Sequence, residues 1–186
     1  MTLPVQLKDS KKRDYPFIHT AEQLRAEEAL LASLTPRQRV LENPLLIDKA
    51  SADLRNDREL ILACVKKSGG LIQYASEHVR DDTLVVGVAV KKRGSALMWA
   101  SKSLRDNEEI VKCAVEQDGD AVQYASERLR GDRGVMLAAV RQTGMALMFA
   151  TGDMKCDEEV VGAAVAQNGK ALEHADKTLQ TKATFV

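Results

Sequence analysis

Gly94-Ser-Ala-Leu-Met-Trp99-Ala100-Ser101-Lys-Ser-Leu104-Arg105-Asp106-Asn107 decides how this chain folds, because the same phrase recurs before and after it at one fixed spacing. The period is 25 residues, with no insertion or deletion from Ala50 onward. Alanines at 50, 75, 100, 125, 150 and 175 mark the register, each of the first four followed by Ser and Ala150 by Thr151. Glycine recurs at Gly69, Gly94, Gly119, Gly144 and Gly169. A large ring recurs at Tyr74, Trp99, Tyr124 and Phe149, with His174 in the fifth copy. Val65, Val90, Val115, Val140 and Val165 share another slot, and Leu54, Val79, Leu104, Leu129, Met154 and Leu179 one more. Five of only 11 glycines falling at one phase identifies a true internal repeat.

Each unit reads as two short helices. Asp57, Asp82, Asn107, Asp132 and Asp157 precede an apolar-periodic run, where an N-cap belongs. The first helix is then expected to end at the recurring Gly, the residue best suited to a left-handed C′ position. The second is expected to run from just past that Gly, through the Ala-Ser pair, to near the Leu-Arg, burying Trp99, Ala100 and Leu104 in the second copy. So short a helix pair cannot cover its own apolar faces, whereas stacked neighbours can. The expected fold is therefore all-α: a right-handed α-solenoid of stacked two-helix 25-residue repeats.

Working outward, residues 50–174 hold five repeats and 175–186 a partial sixth. Residues 20–49 read as a degenerate helical N-terminal cap. Thr20-Ala-Glu-Gln23 and Thr35-Pro36-Arg37-Gln38 both have capping-box form, and Asn43-Pro44 opens another short helix. Residues 1–19, with Pro4, Pro16 and a polar cluster, read as an extended arm that lies along the repeats or along a partner.

Composition narrows the function classes. The 186 residues are 45% hydrophobic, 29% charged and 4% aromatic, a folded composition whose core relies on Ala, Val and Leu. The formal net charge is zero, which disfavours sequence-independent nucleic-acid binding, because that needs surplus cations to neutralise phosphates. Charge is graded instead: residues 50–99 carry 8 basic and 6 acidic side chains, whereas 150–174 carry 2 and 5. No apolar run approaches the ~18 residues of a membrane span. Cys64, Cys113 and Cys156 form no C-x-x-C pair, and the first two fall in apolar helical slots as buried thiols. The beginning of the chain lacks an apolar h-region and does not read as a signal peptide. An intracellular location is expected, with a mitochondrion or plastid left open.

The recurrent phrase L-R-D-D-x-E-V-V-x-A-A-V-x-Q-N-G-x-A-L-x-Y-A-S resembles a helical-repeat family known as domain of unknown function 4116. The match is carried by Leu104-Arg105-Asp106-Asn107-Glu108-Glu109-Ile110-Val111 and by Ala114 to Ser126, and again from Asp157 to Leu172. The resemblance covers about residues 50–182. It implies a helical-repeat fold and brings no activity, cofactor or catalytic residue with it. The departures are Gly131 and Gly134, expected to loosen a helix start, and His174 in the ring slot.

No motif for nucleotide binding, nucleophilic catalysis or zinc ligation occurs, and His19, His78 and His174 show no ligand spacing. Asp118-Gly119-Asp120 lacks the ligand ladder of a calcium loop. No catalysis, cofactor or metal is expected. Two groups of residues are candidates for contact instead. One is the chain's two ends: Lys8, Lys11, Lys12, Arg13, Tyr15 and Phe17 in the arm, and Phe185 and Val186. The other is Arg55, Arg80, Arg105 and Arg130, with Lys155, recurring at one slot. These read either as a strip that grips carboxylates or phosphates, or as residues that pair with a neighbouring Asp or a helix C-terminus to help repeats stack. Gln73, Met98, Gln123, Met148 and Glu173 alternate polar and apolar at another slot, the kind of variable position an RNA-reading repeat would use. The expected function is a non-catalytic protein-interaction module, an accessory or structural subunit whose partners are other protein subunits, a membrane complex among the settings left open. A nucleic-acid-binding repeat is the alternative.

Overall fold

A computed structural model of the chain describes residues 33–181. The arm candidates Lys8 to Phe17, the Thr20 capping box, and Phe185 and Val186 lie outside the described residues. The chain divides into two compact units, Met1–Leu34 and Thr35–Val186, and the repeats lie in the second. Among the described residues every regular element is helical.

The array opens as the sequence predicts. Thr35 and Gln38 close a capping box on Pro36–Glu42, and Asn43 then caps the 3-10 helix Pro44–Lys49. Each following unit begins with a ten-residue α-helix: Arg58–Lys67, Thr83–Lys92, Glu108–Gln117, Arg133–Gln142 and Glu158–Gln167. The side chains of Asp57, Asp82, Asn107, Asp132 and Asp157 accept the third helical N–H at 2.9–3.1 Å, so the predicted N-caps are all in place. Gly131 and Gly134 do not loosen the fourth copy: Asp132 starts a helix of the same ten residues.

The second helix of each unit is not continuous. A six-residue 3-10 helix, such as Gly94–Trp99, stops at the ring residue. The Ala-Ser pair is extended, with ψ of 155° at Ala100 and 163° at Ser101. A short helix then begins, as at Lys102–Arg105. The break has a physical cause. Ser101 Oγ accepts the Leu104 N–H at 3.2 Å, capping the short helix. Its own N–H leaves the chain's local ladder and donates to Arg80 O, one unit back, at 3.1 Å. The same bond joins Ser76 to Arg55, Ser126 to Arg105, Thr151 to Arg130 and Asp176 to Lys155, at 2.8–3.2 Å. Each unit thus has three short helices rather than two, because one N–H per unit is spent on the neighbour.

The recurring glycine also has a different role from the one expected. Among the described residues only Gly152 has a positive φ, 58°. Gly94, Gly119 and Gly144 instead sit against the next unit's long helix: a Cβ there would lie 2.5–2.6 Å from the carbonyl oxygen of Ala114, Ala139 or Ala164. Gly69 meets Ala89 O in the same way. Hydrogen at this position lets two units close on each other. The Gly144 N–H also donates to Gln167 Oε1 at 2.6 Å, and Gly94 N–H to Gln117 Oε1.

That close approach buries one continuous core. Val65, Val90, Val115 and Val140, the alanines Ala89, Ala114, Ala139 and Ala164, and Ile72, Leu97, Val122 and Leu147 are all inaccessible. Val165 and Leu172, the same slots in the last unit, are only half-buried, since no further described unit covers them.

Salt links cross the same junctions. Arg58 Nε lies 2.6 Å from Asp82 Oδ2, and Arg37–Asp57 and Arg133–Asp157 repeat this at 2.8 Å. The carboxylate that caps one helix is therefore tied to the start of the preceding one, at its first residue for Arg58 and Arg133 and its second for Arg37. The Arg58 hydrogen bond, followed by the Val85 N–H, holds the Asp82 carboxyl below the usual Asp range. A depressed carboxyl contributes stability above its unfolded value, ~3.9, that is lost as pH falls through its folded value. Asp82→Ala is expected to remove about 1–2 kcal/mol at pH 7 through the lost cap. Urea melts should show that deficit shrinking as the pH is lowered through 4 and below.

Candidate interaction surface

Arg55, Arg80, Arg105 and Arg130 occupy one slot at or near the end of the short helices Ala52–Asn56, Val79–Asp81, Lys102–Arg105 and Glu127–Arg130. The carbonyl-to-Ser bonds described above fix their backbones, so the four side chains recur in register along the array. Each is half-buried, and each Nε is covered and has no acceptor.

The neighbouring carboxylates do not pair with them, contrary to one reading of the sequence. Asp81 accepts from Ser101 and Ser103, and Asp106 from Ser126 and Arg128. Those donors, Ser101 before Ser103 for Asp81 and Ser126 before the Arg128 guanidinium for Asp106, hold both carboxyls below the usual range. The other part of that reading, contact with a helix C-terminus, is realised at the two outer positions. Arg55 donates to Asp48 O, and Arg130 to Phe149 O at 3.4 Å. Arg80 and Arg105, in the middle, make no side-chain hydrogen bond or ion pair among the described residues.

These guanidiniums line a groove that repeats with the array. One segment, of about 470 Å³, lies between Arg55 and Arg80 and is walled by Tyr74 and Ser76. The next, of about 380 Å³, lies between Arg80 and Arg105 and is walled by Trp99, Ser101, Lys102 and Glu77. Arg80 is common to both. Trp99, expected in the core, is half-buried and forms a wall of this groove. Its other side borders a smaller hollow, about 240 Å³, with Gln73, Met98 and Tyr124. The alternating slot Gln73, Met98, Gln123, Met148 and Glu173 is exposed in every unit.

Sequence reasoning missed the groove because each ring meets the Arg of the unit before it, 19 residues back, as well as the Arg six residues on, across what reads as one helix. The signal was present: a Ser three residues before Leu104 or Leu129 is a cap, and a cap breaks the helix between ring and Arg. Of the thiols, Cys64 is buried as expected and burial pushes its pKa up, whereas Cys113 is half-buried and Cys156 exposed. Among the described residues no three His, Cys, Asp or Glu side chains converge on a metal-sized site. No described helix is long and apolar enough to cross a membrane.

Stacked short helices, a core shared between neighbours and a side-chain slot repeated every unit define an α-helical repeat protein. The family model for a domain of unknown function (DUF4116) matches residues 38–80, 86–130 and 132–180. The chain belongs to that family. Comparison with curated proteins and with solved structures returned no match.

Proposed function

We propose that this chain is a non-catalytic protein-interaction module that serves as an accessory or structural subunit of a larger assembly. The observation that carries this reading is the division of labour among its arginines. Arg37, Arg58, Arg128 and Arg133 pair with carboxylates of the adjoining unit and hold the stack together. Arg80 and Arg105 line an open groove and pair with nothing in the array. A solvated guanidinium alone is ordinary; two in register beside a half-exposed ring form a recognition surface of the kind Arg and aromatic residues supply at protein interfaces.

Size-exclusion chromatography of a native extract tests the subunit reading. The protein is expected to elute well above the 20.4 kDa of the chain and to bring defined partners with it by mass spectrometry. Elution as a free monomer would overturn it.

A further inference from the structure

We propose that the groove running from Arg55 past Arg80 to Arg105 holds an extended acidic peptide segment of a protein partner, its carboxylates on the guanidiniums and its intervening side chains against Tyr74 and Trp99. This deepens the protein-binding reading above and rests on it. Three observations support it. First, among the described residues Arg80 and Arg105 have no carboxylate of their own, because Asp81, Asp82 and Asp106 near them are engaged by a Ser, an Arg or a helix N-terminus. A guanidinium fork matches a carboxylate in two parallel hydrogen bonds, and a half-buried one gains more from it than a fully exposed one. Second, the groove is segmented. Cation, ring and cation alternate along it, the pattern that an extended chain with alternating acidic and apolar side chains can follow. Third, the stretch of the array that supplies the groove has more basic side chains than acidic ones, 10 to 6 over residues 50–105.

The same details disfavour a nucleic-acid strand. Glu77 stands on the wall of the segment between Arg80 and Arg105, so a ligand with a phosphate on every residue would run across a carboxylate. A peptide places a neutral residue there. The chain as a whole also has no surplus of cations.

Trp99 is the only tryptophan of the chain, so its emission reports directly on occupancy of the groove. The experiment titrates the full chain with a blocked octapeptide of alternating Glu and Val, with its Gln counterpart, and with an oligouridylate of similar length. The Glu peptide is expected to shift Trp99 emission saturably and to weaken as salt rises; the Gln peptide is not. The double variant R80Q/R105Q is expected to bind the Glu peptide about tenfold more weakly. Glu77→Lys, an exposed change that leaves the stack alone, is expected to bind it more tightly, so loss of fold cannot imitate the result. No saturable shift with the Glu peptide at low salt, no change on Glu77→Lys, or tighter binding of the oligouridylate would each overturn the proposal. Were partners still to co-purify with the R80Q/R105Q protein, the groove assignment would fall while the subunit reading stood.

Discussion

Gly119→Ala is expected to lower the unfolding free energy by about 3 kcal/mol, while Gly169→Ala, at the same slot one pair of units on, changes it by no more than about 0.5 kcal/mol. The contrast follows from what each new methyl meets. At Gly119 it would lie 2.6 Å from Ala139 O and 2.8 Å from Thr143 Oγ1. Rotation about χ1 would carry the threonine Oγ1 away, but not its Cβ, 2.9 Å off. The carbonyl cannot move aside, because it belongs to the helix Arg133–Gln142 and already accepts the Thr143 N–H at 2.8 Å. The two units must separate, and core contacts on both sides open with them. At Gly169 no described residue comes within 4 Å and φ is not positive, so alanine fits. Paired urea melts measure both. Equal costs at the two positions would mean that the glycine serves backbone conformation, not close approach.

Leu97→Ala is expected to cost about 3–4 kcal/mol, and Leu172→Ala, the same residue type three units later, about 1 kcal/mol. Leu97 is fully enclosed between the units on either side, so truncating it leaves a cavity that the stack cannot collapse. Leu172 is half-buried on the last described unit, and its truncation removes a contact on one side only. In a quasi-one-dimensional array an interior loss weakens two junctions and an end loss one. Denaturant unfolding with far-UV circular dichroism reads both. A Leu172→Ala cost equal to that of Leu97→Ala would show that its exposed side is covered in solution.

The two substitutions also mark how far the sequence could be read. Register, repeat length, the caps at Asp57 to Asp157 and the apolar slots were legible, because capping and 3.6-residue periodicity are local and each unit restates them. What could not be read locally was anything decided by the next unit. Gly94 looks like a helix stop until Ala114 O is placed against it. Ser101 looks like mid-helix surface until its N–H is seen to cross to Arg80. Trp99 looks like core for the same reason: a large ring in an apolar run carries no mark of the groove it walls. The pairing of Arg58 with Asp82, and the lack of a partner at Arg80, depend on where the long helix of one and the short helix of the other sit against the next unit. Periodicity reports that slots repeat, not which slots touch.

The bond from each Ser, Thr or Asp N–H at this slot to the Arg or Lys carbonyl of the unit before it always spans 21 residues, and the substantial helix contacts join each unit only to its neighbours. Nothing in the described array depends on how many units there are. Excision of one whole period would rejoin the severed edges to partners of the same kind, Ser to carbonyl, Gly to carbonyl and Arg to Asp or its substitute. The array is thus editable in whole cassettes, like a ruler cut at its graduations. Its length can be reset by in-frame duplication or loss of whole 25-residue periods, and a deletion of any other length would leave every following slot out of phase.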